Sequence, residues 1–171
     1  MTSEIGILAL DLALTTGFAH SDGTSGVVDF HDLRRGESPG MRFLNFRAWL
    51  LKFLAEHPAK VLAYEQAGHH RSNAARHICE GLIAHAEAVA AELEMELTSR
   101  SPPDLKKRLF GKFSPKTQNK TKVVQQVENR WPHLQMQTDD QADAIVLLWF
   151  VMSDLGIEGT YWHIHLEKDY E

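Results

Sequence analysis

A single cysteine, Cys79, stands in 171 residues, so the chain can close no internal disulfide and build no cysteine-based zinc site. That scarcity suits a reducing compartment, and Cys79 itself reads as core packing. There is no basic N-terminal segment, and the first apolar stretch is interrupted by Asp11, so neither a signal peptide nor a membrane span is supported. The expectation is a cytoplasmic protein without membrane contact. Low-complexity linkers and internal repeats are also lacking, which predicts a single domain over residues 1–171, with a core at about 5–152 and a short unassigned tail, 155–171.

Positive charge is in deficit too, because the formal net charge is −5, which alone argues against nucleic acid as a partner. The distribution changes that inference. Between Arg100 and Lys122 lie Arg100, Lys106, Lys107, Arg108, Lys112, Lys116, Lys120 and Lys122 against one acid, Asp104. Elsewhere ten bases face 22 acids. A basic stripe on an acidic body fits a phosphate backbone, since such contacts depend on local potential; a solvated, lysine-rich loop and helix face is the plainer reading.

What is present is globular in kind, with 43% apolar and 24% charged residues. Residues 5–11 read as a first strand, and 17–20 and 27–30 as two more, separated by the turn cluster Ser21-Asp22-Gly23-Thr24-Ser25-Gly26. Apolar residues recur at helical spacing between Pro39 and Glu56, and Pro58 ends that helix. Residues 61–65 form a fourth strand. Ser72 or Asn73 would cap a long alanine-rich helix to about Leu93, with Gly81 marking close helix packing. Met95 to Thr98 is a weak fifth strand, followed by short helices at about 102–110 and 119–130. Thr138 and Gln141 have capping-box spacing before an unbroken apolar run, Ile145 to Met152, which predicts a largely buried last helix. The pattern is α/β, a mixed sheet covered by helices.

Two of the buried strands end in an acid. Ile7-Leu8-Ala9-Leu10 runs into Asp11, and Val61-Leu62-Ala63-Tyr64 into Glu65. Asp11 has a plain alternative as a turn cap. A glutamate after four such residues carries a desolvation cost of several kcal/mol unless it is paired or binds metal. In the third acidic segment, Asp139-Asp140-Gln141-Ala142-Asp143, the first two acids would favour the helix dipole without any ligand. Asp143 lies at i+3 from Asp140, on the same helix face where the sequence turns apolar. Carboxylates gathered from three segments repel unless a cation neutralises them, and an oxygen-only set suits Mg²⁺ or Mn²⁺ rather than zinc. Such a site can hold two ions about 4 Å apart and support phosphodiester hydrolysis, so the acids and the basic stripe together read as a nuclease.

At these residues the chain resembles the RuvC-type Holliday-junction resolvases. The similarity is carried by Asp11 with Thr16-Gly17-Phe18-Ala19, Glu65-Gln66, Asn73-Ala74 with Gly81, Leu105-Lys106 with Gly111, and Asp140-Gln141-Ala142-Asp143-Ala144, in order from about residue 5 to 152. The resemblance implies an RNase H-like fold with a five-stranded mixed sheet flanked by helices. It also implies a homodimer that makes paired, metal-dependent nicks across a four-way DNA junction. Position by position, Asp11, Glu65, Asp140 and Asp143 would be the metal-binding catalytic acids, with Mg²⁺ or Mn²⁺ as cofactor and no nucleotide. Lys106 and Lys122 would reach DNA near the site, with Lys107, Arg108, Lys112, Lys116 and Lys120 along the same stripe.

The chain departs from that family in places. Leu12-Ala13 stands where Pro-Gly usually follows the first acid, and the segment after Glu65-Gln66 reads Ala67-Gly68-His69-His70-Arg71 where an aromatic wedge is common. His69, His70 or Arg71 would then stack on an opened base, or simply be exposed. Such divergence would suit a phage-encoded or otherwise outlying member. Three other readings remain: an RNase H-like nuclease for other branched DNA or RNA–DNA, an inactive junction-binding module, and, from Leu10-Asp11 with Thr15-Thr16-Gly17, a faint likeness to the phosphate loop of sugar kinases and actin-like ATPases. His163 and His165 form a two-ligand pair without a third. The other histidines, His20 and His57 among them, read as scattered structural or surface residues.

Overall fold

The computed structural model describes residues 5–68, 72–111 and 120–157. Five strands, β1 (Ile7–Asp11), β2 (Thr15–His20), β3 (Ser25–Asp29), β4 (Val61–Glu65) and β5 (Glu96–Arg100), form one sheet in the order β3-β2-β1-β4-β5. The helices are α1 (Met41–Glu56), α2 (Asn73–Glu92), α3 (Pro102–Phe110), α4 (Lys120–Arg130) and α5 (Asp139–Asp154). Strands β3, β2 and β1 are an antiparallel meander, as expected from their short turns, whereas β4 and β5 run parallel to β1. Each parallel step needs a crossover, and α1 and α2 supply the two.

Strand period decides which residues meet which helix layer. In β1, Leu8 and Leu10 face α1 and α2, joining Leu62, Phe46, Leu50 and Leu82 in one buried cluster. Ile7 and Ala9 face the other way, with Val61, Ala63 and Ala19, against α5. Strand β1 is covered on both faces, which is why it reads as a continuous apolar run rather than an alternating one. Helix α5 is buried along most of its length from Gln141 to Met152, as its unbroken apolar sequence requires. Between α1 and α2, a side-chain carbon on Gly81 would run into the Phe43 ring, so the expected close packing is present.

The local signals transfer with small changes of boundary. Ser72 rather than Asn73 caps α2, accepting from the Ala75 N–H at 3.2 Å. Helix α1 starts at Met41, with Gly40 at its cap, so Pro39 precedes the helix rather than opening it. The capping box at α5 is only half formed. Thr138 accepts from the Gln141 N–H at 3.3 Å, but the Gln141 side chain accepts from the Gln137 N–H at 2.7 Å and donates to the Ser25 hydroxyl at 3.1 Å. Gln141 is buried, and its amide is better satisfied by bridging to β3 than by returning to the cap. Cys79 is buried, as expected. Among the described residues, no helix is long and apolar enough to cross a membrane.

The start of α5 lies directly on β2. A side-chain carbon on Gly17 would overlap the Asp140 carbonyl and stand 3.0 Å from the Gln141 nitrogen, both of them backbone atoms that cannot swing aside. Gly17→Ala is therefore expected to destabilise the fold by about 1–3 kcal/mol, the usual cost of overpacking. Chemical denaturation of the two proteins would measure it.

Candidate active site

The carboxylates are delivered by three neighbouring elements. Leu10 of β1 pairs in register with Tyr64 of β4, so Asp11 and Glu65 end adjacent parallel strands. Asp11 has the parity of Ile7 and Ala9, and Glu65 that of Val61 and Ala63, so both lie on the face that α5 covers. On the other side of β1, Asp11 is opposite Gly17, the residue on which the first turn of α5 rests. Asp140 is thus held beside the Asp11 end of β1. Asp143, one turn further along α5, lines a crevice with Glu65 and Lys106, closed by Pro102, Leu105, Leu109, Val123 and Val146. Its volume is about 10 Å³, room for roughly one water or ion. The four acids named from the sequence therefore come from one edge of the sheet and the adjoining helix end.

Electrostatics follow from that crowding. Burial pushes the Asp143 carboxyl up to about 6; the charges of Lys106 and Lys120 pull it back, while Asp139 and Asp140 push it up further. Asp139, whose part in the site the sequence leaves open, contacts the Lys120 ammonium. That contact, with the charges of Asp140 and Asp143 beyond it, raises the Lys120 pKa against the opposing effect of burial. The lysine is thereby held charged beside the acidic group. Oxygen donors on converging backbones, one of them resisting ionisation, are a donor set that fits a hard divalent cation.

The basic stripe divides. Lys106 is half-buried at the crevice, and Lys107 and Lys122 are exposed. Arg108 turns away: it donates to Asp154 at 2.5 Å and lies 4.6 Å above the Phe150 ring, while Arg100 donates to the same carboxylate at 2.9 Å. Those two arginines anchor α3 and β5 to the C-terminal turn of α5. Lys112, Lys116, His69, His70 and Arg71 lie outside the described residues, as do His163 and His165. One grouping had no signal in the sequence. His20 and His57, 37 positions apart, are brought together around Asp22 at the far end of β2.

No family model matches the chain, and no curated protein matches its sequence. Solved structures do match. The chain is similar to Thermus thermophilus RuvC in complex with a Holliday-junction substrate, at 15% identity and a TM-score of 0.69, over 90% of this chain and 97% of that one. The fold is that of the RuvC-type resolvases. The yeast mitochondrial Holliday-junction resolvase matches at 13% identity and a TM-score of 0.54, over 84% of this chain and 76% of that one. The fowlpox virus resolvase, solved with junction DNA, matches at 14% identity and a TM-score of 0.52, over 88% and 99%. Against this RuvC-like frame the expected five-stranded mixed sheet flanked by helices is present in full.

The raised Asp143 pKa has a consequence for stability. Between its usual 3.8 and about 6, the unfolded chain releases this proton while the folded one retains it, so stability falls as pH rises through that window. Asp143→Asn is expected to stabilise the metal-free protein at pH 7, by on the order of 1–2 kcal/mol after allowing for solvent screening. The difference should shrink toward pH 4. Thermal melts in EDTA across that range would measure it.

Proposed function

We propose that this chain is a structure-selective endonuclease that resolves four-way DNA junctions, working as a homodimer. The observation that carries the reading is the convergence of Asp11, Glu65, Asp140 and Asp143 on one sheet edge beside Lys106 and Lys120, within a RuvC-like fold. In this reading the four acids hold Mg²⁺ or Mn²⁺. Bound there, the ion would supply charge stabilisation to the scissile phosphodiester and activation of the attacking water.

The chain's own residues account for the rest. Asp11 and Glu65 sit on strands buried in the sheet, so their carboxylates are held by backbone that has little freedom to yield. Asp143, poised near 6, is ionised at neutral pH but gains from any positive charge brought close. Lys106, in the same crevice, and Lys120, held by Asp139, offer ammonium groups to a phosphate that approaches the acids. A junction presents two strands for cutting, and a two-fold dimer would present two such sites.

The deciding experiment is cleavage of a labelled synthetic four-way junction beside linear duplex, other branched and single-stranded DNA and RNA–DNA controls, with Mg²⁺, Mn²⁺ or EDTA. Symmetric paired nicks confined to the junction and dependent on the ion are expected. Asp11→Asn, Glu65→Gln and Asp143→Asn should each lower the rate by at least about a thousandfold and leave junction binding intact. Cutting of another substrate that is lost in the same variants would move the function to a different nuclease; tight junction binding without cleavage would make the chain a binding module.

Lys106 gives an independent check on the nucleic-acid face. If its ammonium meets a phosphate, Lys106→Ala should weaken junction binding and lower the slope of log affinity against log salt by about one. An unchanged slope in a fluorescence-anisotropy titration would remove Lys106 from the interface.

A further inference from the structure

The opposite face of the sheet holds a second cluster that the nuclease reading does not use. His20 is the last residue of β2 and has the parity of Thr16 and Phe18, so it faces α1 rather than α5. Asp22 follows in the turn to β3, and His57 is the residue that closes α1. Each of the three offers one ligand atom, and these atoms lie within 4.8 Å of one another. His20 stands three residues along β2 from Gly17, where the catalytic acids gather, so this cluster occupies the other end of the strand as well as the other face.

We propose that His20, Asp22 and His57 form a binding site for one transition-metal ion of the Zn²⁺ class, with a position left for water. Two imidazoles and one carboxylate are a donor set that zinc accepts with its fourth position open, and it differs in kind from the oxygen-only set at the catalytic edge. The two sites would therefore select different ions.

The contacts within the cluster are those of a prepared site. The Asp22 N–H donates to His20 Nδ1 at 3.1 Å, which makes that nitrogen an acceptor, yet the same nitrogen stands 3.0 Å from Asp22 Oδ1. Two acceptors so close repel, and a cation shared between the groups relieves them. The other ring nitrogen of His20, Nε2, is buried and has no hydrogen-bond partner among the described residues, although His20 is only 3% exposed.

His57 Nδ1 donates to Asp22 Oδ2 at 2.7 Å, a contact in which a metal ion can replace the proton. Phe53 orients both rings, stacked on His57 at 4.5 Å and edge-on to His20 at 6.2 Å. The Thr24 N–H holds Asp22 Oδ1 at 2.8 Å, the kind of outer contact that steadies a ligating carboxylate. An ion bound here would clip the end of α1 to the β2–β3 turn, and by linkage would stabilise the folded chain.

The test uses the full chain in excess Mg²⁺, which occupies the carboxylate edge, titrated with Co²⁺ and then with Zn²⁺. One Co²⁺ per chain is expected, with the visible absorption of a four-coordinate nitrogen and oxygen site, displaced by Zn²⁺. Asp22→Asn and His57→Gln should each weaken binding by more than about a hundredfold, the most that loss of an outer contact usually costs. Asp143→Asn should leave it unchanged, and Zn²⁺ should raise the melting temperature of the parent but not of Asp22→Asn. Neither substituted side chain is in the core, and a cooperative melt checks that each variant folds; should Asp22→Asn fail to fold, His57→Gln decides alone. No binding, equal binding in parent and both variants, or a loss confined to Asp143→Asn would each overturn the site.

Discussion

The contact of the first turn of α5 with Gly17 is the constraint on which the rest of the site depends. Helix α5 is apolar on nearly every side and must lie flat across β1, β2 and β4 to bury itself. Lying there, it brings its N-terminus onto β2 at the one residue without a side chain, opposite Asp11. A larger residue at 17 would lift the helix end and separate Asp140 and Asp143 from the strand-borne acids. Core packing and site assembly are thus the same event, and the helix end cannot be adjusted for one without disturbing the other.

The acids themselves work against folding. Asp143 resists ionisation because it is enclosed and because Asp139 and Asp140 stand nearby, and Lys106 and Lys120 offset only part of this. Lys120 answers by pairing with Asp139, so one lysine both tempers the repulsion and remains charged beside the acids. Carboxylates arranged this way store unfavourable charge that a bound cation would relieve, which is the sense in which functional sites are built at some expense of stability. Away from this edge, charged groups are matched more conventionally: Arg100 and Arg108 share Asp154, which draws two members of the basic stripe into holding α3 and β5 against α5.

Much of this architecture was legible in the residues. The runs ending at Asp11 and Glu65 announced buried strands because β1 and β4 are covered on both faces, and an unalternating apolar run is what double coverage demands. A cap at Ser72 or Asn73, the glycine at 81 and the apolar length of α5 were likewise legible, since each acts through neighbours within a turn or through simple close approach; the structure chose Ser72. The capping box at Thr138 was half right for an instructive reason. Its spacing is local, but the choice Gln141 makes between the cap and Ser25 depends on where β3 lies, 116 residues away in sequence.

Local sequence determined the strands, the helices, and the placement of one acid at the end of each of two buried elements, because strand and helix periods are short-range properties of the chain. Tertiary structure alone decided that Glu65 and Asp143 share a crevice with Lys106, that Arg108 pairs with Asp154, and that His20 and His57 meet at Asp22. Those outcomes depend on strand order, register and the face each helix covers. They are set by how the buried surfaces fit together across long stretches of chain, and no spacing within a single segment records them.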